Sequence, residues 1–94
     1  MNYALITGAS SGMGRCYANE MASRGYNIIA VSNQAEQLDT VAKELSLTYK
    51  VEVNTICIDL ADTASAKEIY DITLENGWIV DVLICNAGIL LFST

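Results

Sequence analysis

The sequence predicts an α/β protein built on a doubly wound parallel sheet, and three observations carry that prediction. Four apolar, strand-like runs alternate with three segments of helical periodicity, giving the order βαβαβαβ. The runs are nearly continuous in apolar residues, as in strands covered on both faces. Glycines cluster between the first run and the first helix. Strands that alternate with amphipathic helices imply right-handed crossovers, with the first two helices on one face of the sheet and the third on the other. The strand order expected for such a sheet is 3-2-1-4.

Each element has its own signal. Tyr3-Ala4-Leu5-Ile6-Thr7 reads as a short buried strand. A helix follows from about Gly12 to Arg24, with Gly25 as the residue that stops it. Asn27-Ile28-Ile29-Ala30-Val31-Ser32 is the second strand. In the second helix Leu38, Val41, Ala42 and Leu45 recur at i, i+3, i+4 and i+7 and form one apolar stripe. Val51, Val53, Ile56 and Ile58 mark a third strand that ends at Asp59. Asp62 or Thr63 can cap a third helix, which carries Ile69, Ile72 and Thr73 inward and ends near Asn76-Gly77. Ile79 to Cys85 is the fourth strand, and Asn86-Ala87-Gly88 turns away from it.

Length and composition bound the rest. The chain has 94 residues, the size of one small domain, with 52% hydrophobic residues and no proline. No linker, repeat or low-complexity stretch divides it. No apolar run reaches the roughly 18 residues of a membrane span. Met1-Asn2-Tyr3 has no basic region ahead of an apolar stretch, so no signal peptide is expected and the cytoplasm is the expected compartment. The net charge is −6 and histidine is absent. Such a charge argues against nucleic acid or an anionic membrane as partner. Cys16, Cys57 and Cys85 have no metal-ligand spacing, so no metal site is expected. Cys57 and Cys85 fall in apolar runs and read as reduced, buried packing residues.

The glycine loop carries the chemistry. It runs Thr7-Gly8-Ala9-Ser10-Ser11-Gly12-Met13-Gly14, from a strand into a helix. Gly8 lets the chain leave the strand in a tight turn. Gly12 lets backbone approach a pyrophosphate with no Cβ in the way. Gly14 lets the helix pack close to the strand. The helix start offers unpaired N–H groups and about half a positive charge, which hold a phosphate even on an acidic protein. A plain loop with capping serines is the competing reading. Its place between the first strand and the first helix of a βαβ unit favours phosphate binding.

The spacing G-x-x-x-G-x-G preceded by Thr7 resembles the cofactor fingerprint of the short-chain dehydrogenase/reductase family, whose domain is Rossmann-like. The extended branch of that family uses T-G-x-x-G-x-x-G and would need a glycine where Ser11 stands, so this chain resembles the non-extended type. Asn86-Ala87-Gly88 resembles the N-A-G motif of the family, and Asp59-Leu60 resembles its adenine-contacting pair. The resemblance covers essentially the whole chain. It implies that Gly8, Ser10, Ser11, Gly12 and Met13 line the ribose and phosphates of NAD or NADP. It implies that Asp59 accepts a hydrogen bond from the adenine amino group, with the Leu60 N–H on the ring. Asn86 would brace the loop, and Ala87 and Gly88 would line the adenine-side ribose. Alone, Asp59 reads as a strand-end turn residue, and Asn86-Ala87-Gly88 as an ordinary turn.

The tip of the second strand is where NAD and NADP are told apart: an acid there binds the ribose 2′-OH, an arginine the 2′-phosphate. Here the tip is Ser32-Asn33-Gln34, neutral and polar, with Asn33 at the deciding position. Arg15 can reach a 2′-phosphate or stand as a solvated helix residue, and both readings remain open.

Full-length members of the family use a serine and a Tyr-x-x-x-Lys motif for proton transfer. None of Tyr3, Tyr17, Tyr26, Tyr49 or Tyr70 has a lysine four residues on. These 94 residues are therefore expected to be a cofactor platform without proton-transfer machinery, the front part of an NAD(P)-dependent oxidoreductase. A free-standing nucleotide-binding module and an inert fragment are the alternatives. Helix three alone would cover its face of the sheet, so self-association through strand four or the bare face is also expected.

Overall fold

A computed structural model describes residues 2–9, 12–58 and 65–84. Its elements are β1 (Asn2–Thr7), α1 (Gly12–Ser23), β2 (Asn27–Ser32), α2 (Ala35–Tyr49), β3 (Val53–Cys57), α3 (Ser65–Glu75) and β4 (Ile79–Ile84). The four strands form one parallel sheet in the order β3-β2-β1-β4. The predicted class, element order and strand order all hold. The notions that differ are local: β3 begins at Val53, not Val51, and α1 gives way to a turn at Arg24. Asp59, Asp62, Thr63 and Cys85 lie outside the described residues.

Burial falls from the middle of the sheet outwards. Every residue of β2 is buried, and in β1 only Asn2 is exposed. Along β1 and β2 successive side chains point to opposite faces. Ala4, Ile6, Ile28 and Ala30 face α1 and α2, and pack with Ala18, Ala22, Leu38, Val41 and Leu45. Tyr3, Leu5, Ile29 and Val31 face the other way and pack with Ile56 and with Ile69 of α3. The first two helices thus share one face and the third covers the other, as the crossover rule requires.

Both α1 and α3 stop at a glycine in the left-handed region. Gly25 has φ of 90° and Gly77 has φ of 69°. In each case the next two-bond pattern is the same. Gly25 N–H donates to Ala22 O and Tyr26 N–H to Met21 O; Gly77 N–H donates to Leu74 O and Trp78 N–H to Thr73 O. Two otherwise unpaired helix carbonyls are satisfied at each end, and the chain is turned back into a strand. The second helix ends differently, with Lys50 at φ of 56° and its N–H on Ser46 O.

The pairing of β4 to β1 skips a residue. Tyr3 pairs with Val80 but Ala4 pairs with Val82, leaving Asp81 as a bulge. Val80 therefore packs with Tyr3 on the α3 face, while Val82 and Ile84 pack on the α1–α2 face. Unbroken alternation would have put all three on one side. After the bulge Leu83 pairs with Leu5 and returns to the α3 face. There it lines an open groove of about 390 Å³ with Tyr70, Thr73, Leu74, Trp78 and Val80.

Cys57 corrects the sequence reading. It is exposed, not buried, and Cys16 is exposed as well. The reason is position in the sheet. β3 is an edge strand in which only Ile56 is buried, and the apolar run around Cys57 owes that burial to one face alone.

Candidate functional site

The site is assembled where β1 and β2 end and α1 begins. Gly8 sits at φ of 66°, which turns the chain sharply out of β1. Ala9 is then fully buried, and its N–H donates to Val31 O at 3.2 Å. This bond continues the β1–β2 ladder one step beyond Thr7 and pins the loop to the tip of β2. Gly12 opens α1 at φ of 60°, a conformation that a residue with a side chain adopts only at a cost.

Among the described residues, a Cβ placed on Gly12 would meet no atom within 4 Å. At the start of a helix the first N–H groups have no intrahelical partner, and the positive end of the helix dipole lies there. That is the donor set a pyrophosphate needs. Met13 beside it is 62% exposed. Gly14, Ala18 and Ala22 make the buried row of α1 at four-residue spacing. Ala18 and Ala22 share a core cluster with Ala4 and Ala30 of the sheet, and such small residues let a helix come close to it.

The tip of β2 completes this side. Ser32 is buried, and its Oγ accepts a hydrogen bond from Gln34 N–H at 3.2 Å. Asn33, between them, is exposed. Ile58 N–H donates to Ser32 O at 2.9 Å, so the β2–β3 ladder runs on to the residue before Asp59. Gly8, Gly12, Met13, Gly14, Ser32 and Asn33 thus gather at one end of the sheet. Ser10, Ser11, Asp59, Leu60, Asn86, Ala87 and Gly88 lie outside the described residues.

Topology singles out this end of the sheet. From β1 the chain passes to β2 over one face, whereas β4 is reached from α3 on the other face. Helices leave in opposite directions on either side of β1, and the gap outside the strand ends at that point is where open α/β sheets take ligands.

One side chain near the site has a partner that sequence reasoning missed. Arg15 makes an ion pair with Glu44 of α2, both about half-exposed. The partners are 29 residues apart and belong to different helices, so no local pattern marks them. Among the described residues, no helix is long and apolar enough to cross a membrane.

Comparison with known proteins agrees with this geometry. The family model for short chain dehydrogenase matches residues 2–94. The chain is 40% identical over 90 residues to very-long-chain 3-oxoacyl-CoA reductase-A of Danio rerio, which covers 93% of this chain and 27% of that protein. It is 50% identical over 68 residues to the inactive hydroxysteroid dehydrogenase-like protein 1 of Pongo abelii, covering 72% of this chain and 20% of that protein. Among solved structures, L-sorbose reductase from Gluconobacter frateurii, complexed with NADPH and L-sorbose, superposes with a TM-score of 0.85 at 30% identity. That match covers 93% of this chain and 33% of the reductase. The chain spans about a fifth to a quarter of the length of these curated relatives.

Proposed function

The chain belongs to the short-chain dehydrogenase family, and from that premise we propose that it binds NAD or NADP as the front part of an oxidoreductase. The observation that carries this is the glycine turn. Gly8 and Gly12 hold left-handed conformations where β1 gives way to α1 in a 3-2-1-4 sheet, at the end where open α/β sheets take ligands. The fit is to a pyrophosphate, with the adenosine ribose directed towards Ser32 and Asn33. Ser10, Ser11 and Met13 would complete the phosphate cradle. Asp59, Leu60, Asn86, Ala87 and Gly88 would hold the adenine and its ribose, as the motif resemblance implies.

In the whole protein the bound nicotinamide would accept or give a hydride. These 94 residues contain no Tyr-x-x-x-Lys and no histidine, and so offer no evident pair to move the accompanying proton. On this reading the polypeptide of these residues holds the dinucleotide without turning it over, acts in the cytoplasm, and associates with itself through β4 or the α3 face.

Isothermal calorimetry with NAD, NADP and ADP-ribose tests the reading. Saturable binding of all three, with no change in nicotinamide absorbance when alcohols or carbonyl compounds are added, is the expected result. No heat of binding at millimolar dinucleotide would overturn it.

A further inference from the structure

The preference between NAD and NADP depends on whether a cation reaches the 2′ position of the adenosine ribose. The sequence has five cations in all: Arg15, Arg24, Lys43, Lys50 and Lys67. Arg24 follows the far end of α1 and pairs with Glu20 at 2.9 Å, and Lys43 pairs with Asp39 at 3.1 Å. Lys50 closes α2 at the opposite end of the sheet. Lys67 belongs to α3, on the other face. Only Arg15, in the first turn of the helix that starts at the glycine loop, is placed to serve the tip of β2.

Arg15 is held elsewhere. Its guanidinium pairs with Glu44, nine residues into α2 from Ala35. At 1.5 Å per residue that is about 13 Å along the helix from the β2 tip. The charged group nearest the tip in sequence is instead Glu36, in the first turn of α2. A 2′-phosphate would meet a neutral Asn33, an acid three residues on, and an arginine drawn away.

We propose that Glu44 is a specificity-determining residue. By holding Arg15 along α2 it withholds the one available cation from the 2′ position, and the protein prefers the cofactor with a 2′-hydroxyl, NAD, over NADP. The proposal rests on the dinucleotide-binding reading above. Glu44 touches no cofactor atom and acts only through Arg15. Because exposed ion pairs are weak, the preference it sets is modest, up to about fivefold.

The test is the ratio of NAD to NADP dissociation constants by calorimetry, in the wild type and four variants. The wild type should favour NAD. Glu44→Gln should tighten NADP by up to about fivefold and leave NAD unchanged. Arg15→Gln with Glu44→Gln should return the ratio to that of the wild type, since no cation remains to be freed. Glu20→Gln makes the same change in net charge but frees Arg24 at the far end of α1, and should leave the ratio alone. Glu44→Asp, which keeps a carboxylate, should retain the NAD preference. A ratio unmoved by Glu44→Gln, or moved equally by Glu20→Gln, overturns the role of Glu44 while dinucleotide binding stands. A wild type that binds neither cofactor overturns the binding reading and this proposal together.

Discussion

The Tyr3 hydroxyl donates a hydrogen bond to the Glu52 carboxylate, reaching across β2 from the central strand to the start of the edge strand. Asn54 donates to the same carboxylate at 2.8 Å, and Glu52 N–H donates to Asn27 Oδ1 at 2.9 Å. The Tyr3 ring also packs against Trp78, with centroids 5.9 Å apart. One residue thus ties β3, β1 and the entry to β4 together at the end of the sheet opposite the candidate site.

This bond makes stability depend on pH at both extremes. The bond from Tyr3, helped by that from Asn54, holds the Glu52 carboxyl below its ordinary 4.5. Its contribution is complete above that value and lost as pH falls through the lower folded one. The same bond, with burial and the nearby charge, pushes Tyr3 from 10.0 up to about 12. That contribution is complete below 10.0 and lost as pH rises through about 12. Tyr3→Phe keeps the ring and removes the bond. It should cost about 0.5–1 kcal/mol near neutrality, the low end because Glu52 faces solvent. Urea titrations from neutral pH down into the acid range should show the loss shrinking as Glu52 takes up its proton. A loss that is the same throughout would refute the assignment.

Gly12→Val should abolish dinucleotide binding, because a branched side chain would fill the open space above the helix start. The same substitution forces a β-branched residue to φ of 60°, at a cost of at least about 1–2 kcal/mol. Gly12→Ala separates the two effects. Among the described residues its Cβ meets nothing within 4 Å, so the backbone cost is the one expected. Calorimetry beside thermal unfolding decides: wild-type affinity in folded Gly12→Val would remove the glycine loop from the site.

Replacing Asn33 with Asp should favour NAD. Asn33 is exposed at the tip of β2, and a carboxylate there would repel a 2′-phosphate while accepting a hydrogen bond from a 2′-hydroxyl. The expected shift in relative affinity is on the order of fivefold, about 1 kcal/mol. Unchanged relative affinities would show that the tip of β2 does not read the ribose.

How far the sequence could be read follows from how local each signal is. The glycine turns at Gly8 and Gly25 and the stripe Leu38, Val41 and Leu45 are written in consecutive or periodic residues, and all stand where expected. The bulge at Asp81 was not legible, because it exists only as a register between two strands more than 70 residues apart. The exposure of Cys57 depends on which strand lies at the edge. The Arg15–Glu44 pair depends on how two helices sit side by side. At the site, the glycine spacing and the Asn33 tip could be read from residue types, whereas the route taken by the Arg15 side chain could not.

Lys50→Gly should stabilise the fold. Lys50 is the one described residue other than glycine with a positive φ, at 56°, and its N–H closes α2 on Ser46 O at 3.0 Å. A non-glycine residue there costs roughly 1–2 kcal/mol. Glycine returns about 0.4–1 kcal/mol of that through the greater freedom of the unfolded chain. A net gain of up to about 1 kcal/mol should appear as a higher urea midpoint at unchanged slope. A lower midpoint would mean that the lysine side chain contributes more at this end than its strained backbone costs.

A polypeptide of these 94 residues should associate with itself through β4. That strand ends the sheet order, so its outer backbone groups have no strand beside them among the described residues. Its side chains do not protect it. Ile79 is 64% exposed and Leu83 38%, and Leu74 of α3 adds a third apolar surface at 60%. Leu74 and Leu83 line the groove beside Trp78, and Asp81 is the one charged side chain on the strand. A single acid at a bulge is weak protection for an apolar edge, where inward charges, lysines or prolines would normally block pairing. Sedimentation velocity at micromolar concentration should show a species larger than a monomer. Leu83→Lys, which puts a charge on the α3 face of the edge strand without touching the glycine loop, should shift the population towards monomer and leave dinucleotide affinity unchanged. A wild-type chain that sediments as a monomer at these concentrations would show that the exposed β4 edge and its groove do not drive association.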